Sequence, residues 1–97
     1  MKIIWSPLSA EQLIEISEYI AEDNLESSIK WVESIFEIIE RLQPYPESER
    51  VVQELNNPHI REIIYMNYRI IYKIRQEELF ILTVRHFKQI LPIEEVN

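Results

Sequence analysis

Residues 60–87 read IREIIYMNYRIIYKIRQEELFILTVRHF, and the period of this stretch decides the fold. β-branched and aromatic residues dominate it, and apolar positions recur every second residue rather than every third or fourth. The spacing predicts three strands at about 60–66, 68–75 and 79–87. Asn67 would centre the first tight turn and Gln76-Glu77-Glu78 the second. Links this short make the strands an antiparallel meander.

Alternation assigns faces. In strand 68–75, Tyr68, Ile70, Tyr72 and Ile74 oppose Arg69, Ile71, Lys73 and Arg75. In strand 79–87, Phe80, Leu82, Val84 and His86 oppose Leu79, Ile81, Thr83, Arg85 and Phe87. In strand 60–66, Arg61, Ile63 and Tyr65 oppose Ile60, Glu62, Ile64 and Met66. The more apolar face should carry the helices. The other should be open and lined by bases, with Arg61, Arg69, Lys73 and Arg85 converging if register permits. The bland alternative is an ordinary polar face, where Lys and Arg stems cover Ile71 and Ile81.

Upstream the period is helical. Lys2 to Trp5 suggest a short opening strand. Ser6-Pro7 then supply an N-cap and a first helical residue, although Ser9 with Gln12 could equally form a capping box. Leu13, Ile16 and Ile20 form the apolar stripe of a helix at about 7–22, and its acids read as a solvated face. Asp23-Asn24 breaks the pattern. A second helix, about 25–42, carries two stripes: Leu25, Ile29, Val32, Phe36, Ile39, and Trp31, Ile35, Ile38, Leu42. Either the helix is squeezed between the sheet and the first helix, or the second stripe docks a partner chain. Pro44 and Pro46 end the helix, and a short strand is expected near 51–54. The chain is therefore read as a single α+β domain over 1–97: an N-terminal strand, then an antiparallel helical hairpin packed on a twisted antiparallel β-sheet.

Charge is uneven. The net is −7, yet residues 1–49 hold 3 bases and 11 acids, while 61–88 hold 6 bases and 3 acids. A protein coating nucleic acid would be basic overall, so direct nucleic-acid binding is expected to be weak or absent. The chain has no glycine, which excludes Gly-rich phosphate loops, and no cysteine, which excludes disulfides and thiolate metal sites. His59 and His86 have no metal-ligand spacing, so no metal and no cofactor is expected. No apolar run is long enough for a signal peptide or membrane helix, which points to a soluble, cytoplasmic protein.

The segments WSPLSAEQLIEISEYIAEDN, KWVESIFE, IREIIYMNYRIIYKI and ILTVRHFKQILP, in this order, resemble the RelE/ParE toxin superfamily. Ser6-Pro7, Arg61-Glu62, Tyr68 to Tyr72 and His86-x-Lys88 carry the likeness, which lies closest to the ParE branch, the plasmid-stabilisation type. The resemblance implies the toxin of a type II toxin–antitoxin pair, neutralised by a cognate, ParD-like antitoxin. ParE-like toxins poison DNA gyrase, whereas RelE-like toxins cleave messenger RNA in the ribosome. A nuclease would draw on Arg61, Arg69, Arg85, His86 and Lys88. That set is incomplete: Phe87 falls near a familiar arginine position, and the tail QILPIEEVN has no tyrosine. The resemblance and the acidic net charge together favour a gyrase poison over an enzyme. Arg61, Arg69, Lys73, Arg85 and Lys88 would then contact the target, and Trp31, Ile35, Ile38 and Leu42 the antitoxin. A non-toxic interaction module on the same fold is the remaining alternative.

Overall fold

In a computed structural model describing residues 1–96, the chain runs β1 (Lys2–Trp5), α1 (Pro7–Asp23), α2 (Leu25–Arg41), β2 (Arg50–Val51), β3 (Ile60–Tyr65), β4 (Tyr68–Arg75) and β5 (Glu78–His86). A 3₁₀ turn at Ile93–Glu95 follows. The strands form one sheet in the order β1-β5-β4-β3-β2. All neighbours are antiparallel except β1, which lies parallel to β5. The expected short strand near 51–54 is two residues long and begins at Arg50.

Local chemistry explains the helices. Ser6 is the N-cap of α1: its Oγ accepts the Ser9 N–H at 3.0 Å, and Pro7 fills the first helical position. Ser9 is not a cap but a buried residue inside the first turn. Asn24 alone separates the helices. Its N–H bonds to the Ile20 carbonyl, and its side-chain oxygen accepts the Ser27 N–H. One residue thus ends α1, starts α2 and reverses the chain. In α2, Glu26 in the first turn and Arg41 in the last suit the helix dipole. Without glycine, the two hairpin turns place Met66 (φ 55°) and Gln76 (φ 54°) in the left-handed region. This costs roughly 1–2 kcal/mol at each position.

The helices pack on one face of the sheet. Trp31, Ile35 and Ile39 of α2, with its C-cap Leu42, meet Ile63, Ile70, Tyr72, Leu79, Ile81 and Val84, all buried. Fully burying each large apolar side chain contributes about 1.5–3 kcal/mol. The stripe expected to dock a partner is therefore mostly core, with Ile38 half-buried. The solvent-facing residues belong to the other stripe, where Leu25, Ile29 and Phe36 are each about half exposed or more while Ile39 is buried.

β5 departs from strict alternation. Ile71 pairs with Thr83 but Tyr72 pairs with Ile81, so Leu82 is an extra residue in the strand. Leu79 and Ile81 face the helices, not the opposite side, and beyond the bulge Val84 takes over that face. Phe80 pairs with Lys73 on the opposite face, where Leu82 also packs. The bulge lies where β1 has ended and α1 begins. Its carbonyls and amides are held by α1 side chains. The Ser9 hydroxyl lies 2.9 Å from the Ile81 carbonyl, and the Ser6 hydroxyl 3.0 Å from the Leu82 carbonyl. The Gln12 Oε1 accepts the Val84 N–H at 2.7 Å and the Thr83 hydroxyl at 2.9 Å.

The second face is not open. The chain around Val52 and Leu55 and the C-terminal segment around Leu91 and Val96 fold over Ile60 and Ile71, forming a small second core. Helices were not required to cover it; two irregular segments do.

Gln12→Ala should leave the Val84 N–H without its acceptor, while the Thr83 hydroxyl keeps Glu95, and an unmatched buried donor costs about 1–3 kcal/mol. Urea unfolding should show a loss of that size, while Glu18→Ala on the exposed side of α1 should stay within about 0.5 kcal/mol of wild type.

Candidate functional site

The second face holds the chain's most concentrated charge. Arg69 of β4 lies directly across from Arg85 of β5. Like charges in that position repel, so each needs a counter-ion. The Arg69 Nε donates to Glu62 Oε1 at 2.6 Å, and its two terminal nitrogens donate to Glu54 at 2.8 and 3.0 Å. Glu62 is wholly buried, and its second oxygen accepts the Arg50 Nε at 2.8 Å. The Arg85 guanidinium forms a two-point pair with Glu95 of the 3₁₀ turn, and the Thr83 hydroxyl also reaches that carboxylate. The hydrogen bonds from Arg69 hold the Glu54 carboxyl below its ordinary value of 4.5, and Arg85 does the same for Glu95. In return, the bonds to Glu54 and Glu95 raise the two guanidiniums further above their ordinary value.

Register separates the residues expected to converge. Arg61 pairs with Tyr72 and so stands on the helix side of the sheet, away from Arg69. Its guanidinium is consumed by the carbonyls of Glu47, Glu49 and Pro58 at 2.8–3.0 Å. Lys73 does lie on the second face, half-buried between Ile60 and Phe80. His86 faces the helix side, as alternation suggested, its ring edge-on to Tyr68 and stacked on Phe87. Its Nδ1 accepts the Lys88 N–H at 3.2 Å. Lys88 is exposed, with its ammonium 5.8 Å from the Phe87 ring centre. The structure thus brings Arg69 and Arg85 together, and His86 and Lys88 together. It leaves Arg61 and Lys73 apart from both pairs. Among the described residues, no group of acids and histidines could hold a metal.

A family model described as the ParE toxin of type II toxin–antitoxin systems, parDE, matches residues 3–91. The chain belongs to this family. It resembles a solved structure titled "Chromosomal ParDE TA system from P. aeruginosa" at 20% identity and a TM-score of 0.72. The likeness covers 91% of this chain and 97% of that one, and at this identity it speaks for the fold alone. No curated protein matches the chain.

Residue by residue, this member of the family turns Arg50, Arg61, Arg69 and Arg85 onto its own carboxylates and carbonyls. Sequence reasoning missed Arg50, Glu54 and Glu95, and gave Glu62 no role. Only Glu62 had a signal: alternation in its strand places it opposite Arg61, on the face that carries Arg69. Glu54 and Glu95 come from irregular segments, where no period fixes direction. On the helix side, a groove of about 430 Å³ runs between α1 and the end of β5, with Glu11, Glu15, Tyr68 and His86 among its walls. No helix of the described residues is long and apolar enough to cross a membrane.

Arg69→Ala would strand buried Glu62 with one partly exposed partner, and urea unfolding should show a loss of about 3–5 kcal/mol. Glu54→Gln, at a side chain 46% exposed, should cost about 1 kcal/mol or less. Because the folded Glu54 and Glu95 titrate below their unfolded value, their stabilisation is complete above about pH 4.5 and lost as pH falls through the folded values. Acid unfolding followed by circular dichroism should show this loss, and it should be smaller when Glu95 is replaced by Gln.

Proposed function

We propose that this toxin inhibits DNA gyrase, is neutralised by a cognate antitoxin, and does not cleave RNA. The observation that carries this reading is the internal pairing of Arg61, Arg69 and Arg85. Cleaving RNA through its 2′-hydroxyl needs a base, an acid and free cations around the phosphate. Here Arg69 and Arg85 face carboxylates, and Arg61 faces carbonyls. Of the nuclease candidates, Arg69 is buried, Arg61 and Arg85 are half-buried and engaged by the chain's own oxygens, and His86 and Lys88 are held by no carboxylate. Target contact by a protein toxin needs no such constellation. It is better served by the apolar and cationic rim of Ile64, Met66, Phe87 and Lys88, all exposed.

The antitoxin would lay an amphipathic segment on the exposed stripe of α2, Leu25, Ile29 and Phe36, since Trp31, Ile35 and Leu42 are already buried. Ile29→Asp should leave the toxin folded and weaken its complex with the antitoxin at least tenfold, a loss of about 1.4 kcal/mol or more. Trp31→Asp should unfold the toxin instead. Co-purification with calorimetry separates the two.

Purified toxin added to gyrase and plasmid should abolish supercoiling and leave trapped, cleaved DNA. Intact supercoiling at a large excess of toxin, with codon-specific cuts in translated messages, would sink the proposal and establish a ribosome-dependent nuclease.

A further inference from the structure

The groove of about 430 Å³ between α1 and the end of β5 joins two unlike walls. On the α1 wall, Glu11 and Glu15 are exposed, and among the described residues neither takes part in a salt bridge. They stand one turn apart on the same side of the helix, with Cβ atoms about 5–6 Å apart. Like charges at this spacing weaken a helix, and no cation of this chain relieves them. Arg85 also borders the groove, but its guanidinium is paired with Glu95.

The β-strand wall is aromatic. Tyr68 belongs to a row of rings, edge-on to Trp31 at 5.3 Å and to His86 at 5.6 Å, and His86 is stacked on Phe87. Trp31 is buried in the core, so the row is anchored at its inner end before any ligand arrives. Tyr19 adds a ring that is 70% exposed, and Ile16 and Val84 add apolar surface. Free carboxylates beside aromatic rings suit one kind of cation in particular. A guanidinium is flat, stacks on rings, is weakly hydrated, and carries enough N–H donors to meet two carboxylates together. An ammonium is a compact, strongly hydrated point charge and gains less from such walls.

The groove does not stop at Tyr19. The same side chain borders a second depression, of about 500 Å³, which reaches Glu22, Asp23 and Asn24 at the helix hairpin. The two depressions together follow α1 over most of its length, a track that fits a stretch of polypeptide better than a small molecule. We infer that this track binds a segment of a partner protein, with one arginine side chain seated among Glu11, Glu15 and Tyr68. The site shares no residue with the exposed stripe of α2, and it depends on neither the gyrase nor the antitoxin reading.

The test is an amide nitrogen–proton correlation NMR titration of the ¹⁵N-labelled toxin with N-acetylarginine amide, at low and constant ionic strength. N-acetylcitrulline amide, of the same shape without the charge, and N-acetyllysine amide are titrated in parallel. Arginine should give saturable shifts at Tyr19, Tyr68, His86 and Gln89. Lysine should bind at least threefold more weakly, and citrulline should give no saturable shift. Glu11→Gln/Glu15→Gln should weaken arginine binding roughly tenfold, and Tyr19→Ala roughly threefold. All three positions are exposed, so the fold is kept, and the unperturbed resonances of the core strands check it. Glu18→Gln/Glu33→Gln makes the same change of charge outside both depressions and should leave the affinity within about twofold of wild type. The inference is overturned if citrulline or lysine binds as tightly as arginine, if the Glu18/Glu33 variant loses as much affinity as the Glu11/Glu15 variant, or if the Glu11/Glu15 variant binds as well as wild type.

Discussion

A single extra residue in β5 organises both faces of this molecule. Strict alternation from Leu79 would carry Thr83 and Arg85 into the helix-side core and leave Val84 outside it. The bulge at Leu82 reverses this, so Val84 completes the core while Thr83 and Arg85 turn to the second face. A bulge breaks the regular ladder and leaves backbone groups to be satisfied from elsewhere. The first turns of α1 answer that need through Ser6, Ser9 and Gln12. The helix start and the strand irregularity are therefore one unit. The Ser-Pro that opens α1 fixes the helix, and the helix in turn fixes the strand.

The ion pairs follow from that geometry. Once Arg85 is turned outward opposite Arg69, two guanidiniums share one small area of a face covered by irregular chain. Covering them removes water, and a buried cation without a counter-ion would cost far more than the surrounding apolar contacts return. Three carboxylates meet the need, and each also fastens a different part of the chain. Glu62 ties β3 to β4, Glu54 ties the segment after β2, and Glu95 ties the C-terminal turn to β5. A buried pair of this kind adds little net stability relative to apolar packing, but it penalises any arrangement in which the partners are separated. The second core is small, so this penalty gives the covering segments their register.

The regular elements were legible from period and caps. The helix hairpin and the three-strand meander follow from spacings of 3.6 and 2. The double stripe on α2 was legible too, but not which stripe faces inward. That choice rests on where β5 lies relative to α1, a long-range fact. The bulge was not legible, because Phe-Ile-Leu-Thr-Val offers apolar residues to either phase of alternation. Arg61 was misplaced for a different reason. Alternation within its own strand places it with Ile63 and Tyr65, which line the helix face, and like charge does not bring it to the side of Arg69. Acids in loops are the hardest to place, since neither propensity nor period constrains their direction.

The excess of bases over acids in residues 61–88 thus overstates the positive surface, because Arg69 and Arg85 are met by carboxylates. Arg50, Arg69 and Arg85 stand against Glu54, Glu62 and Glu95 within hydrogen-bond distance. Two of the three acids lie outside the basic stretch, so counting charge along the chain overstates the field it projects. What this face shows a partner is nearly neutral: Ile64, Met66 and Phe87, with Lys88 beside them. Long-range attraction to a polyanion scales with uncompensated charge. Here the charge of Arg69 and Arg85 has been turned inward to hold the sheet's covering segments. The helical surface, meanwhile, keeps its acids exposed. A macromolecule meeting this toxin is therefore selected at short range, by shape and apolar contact.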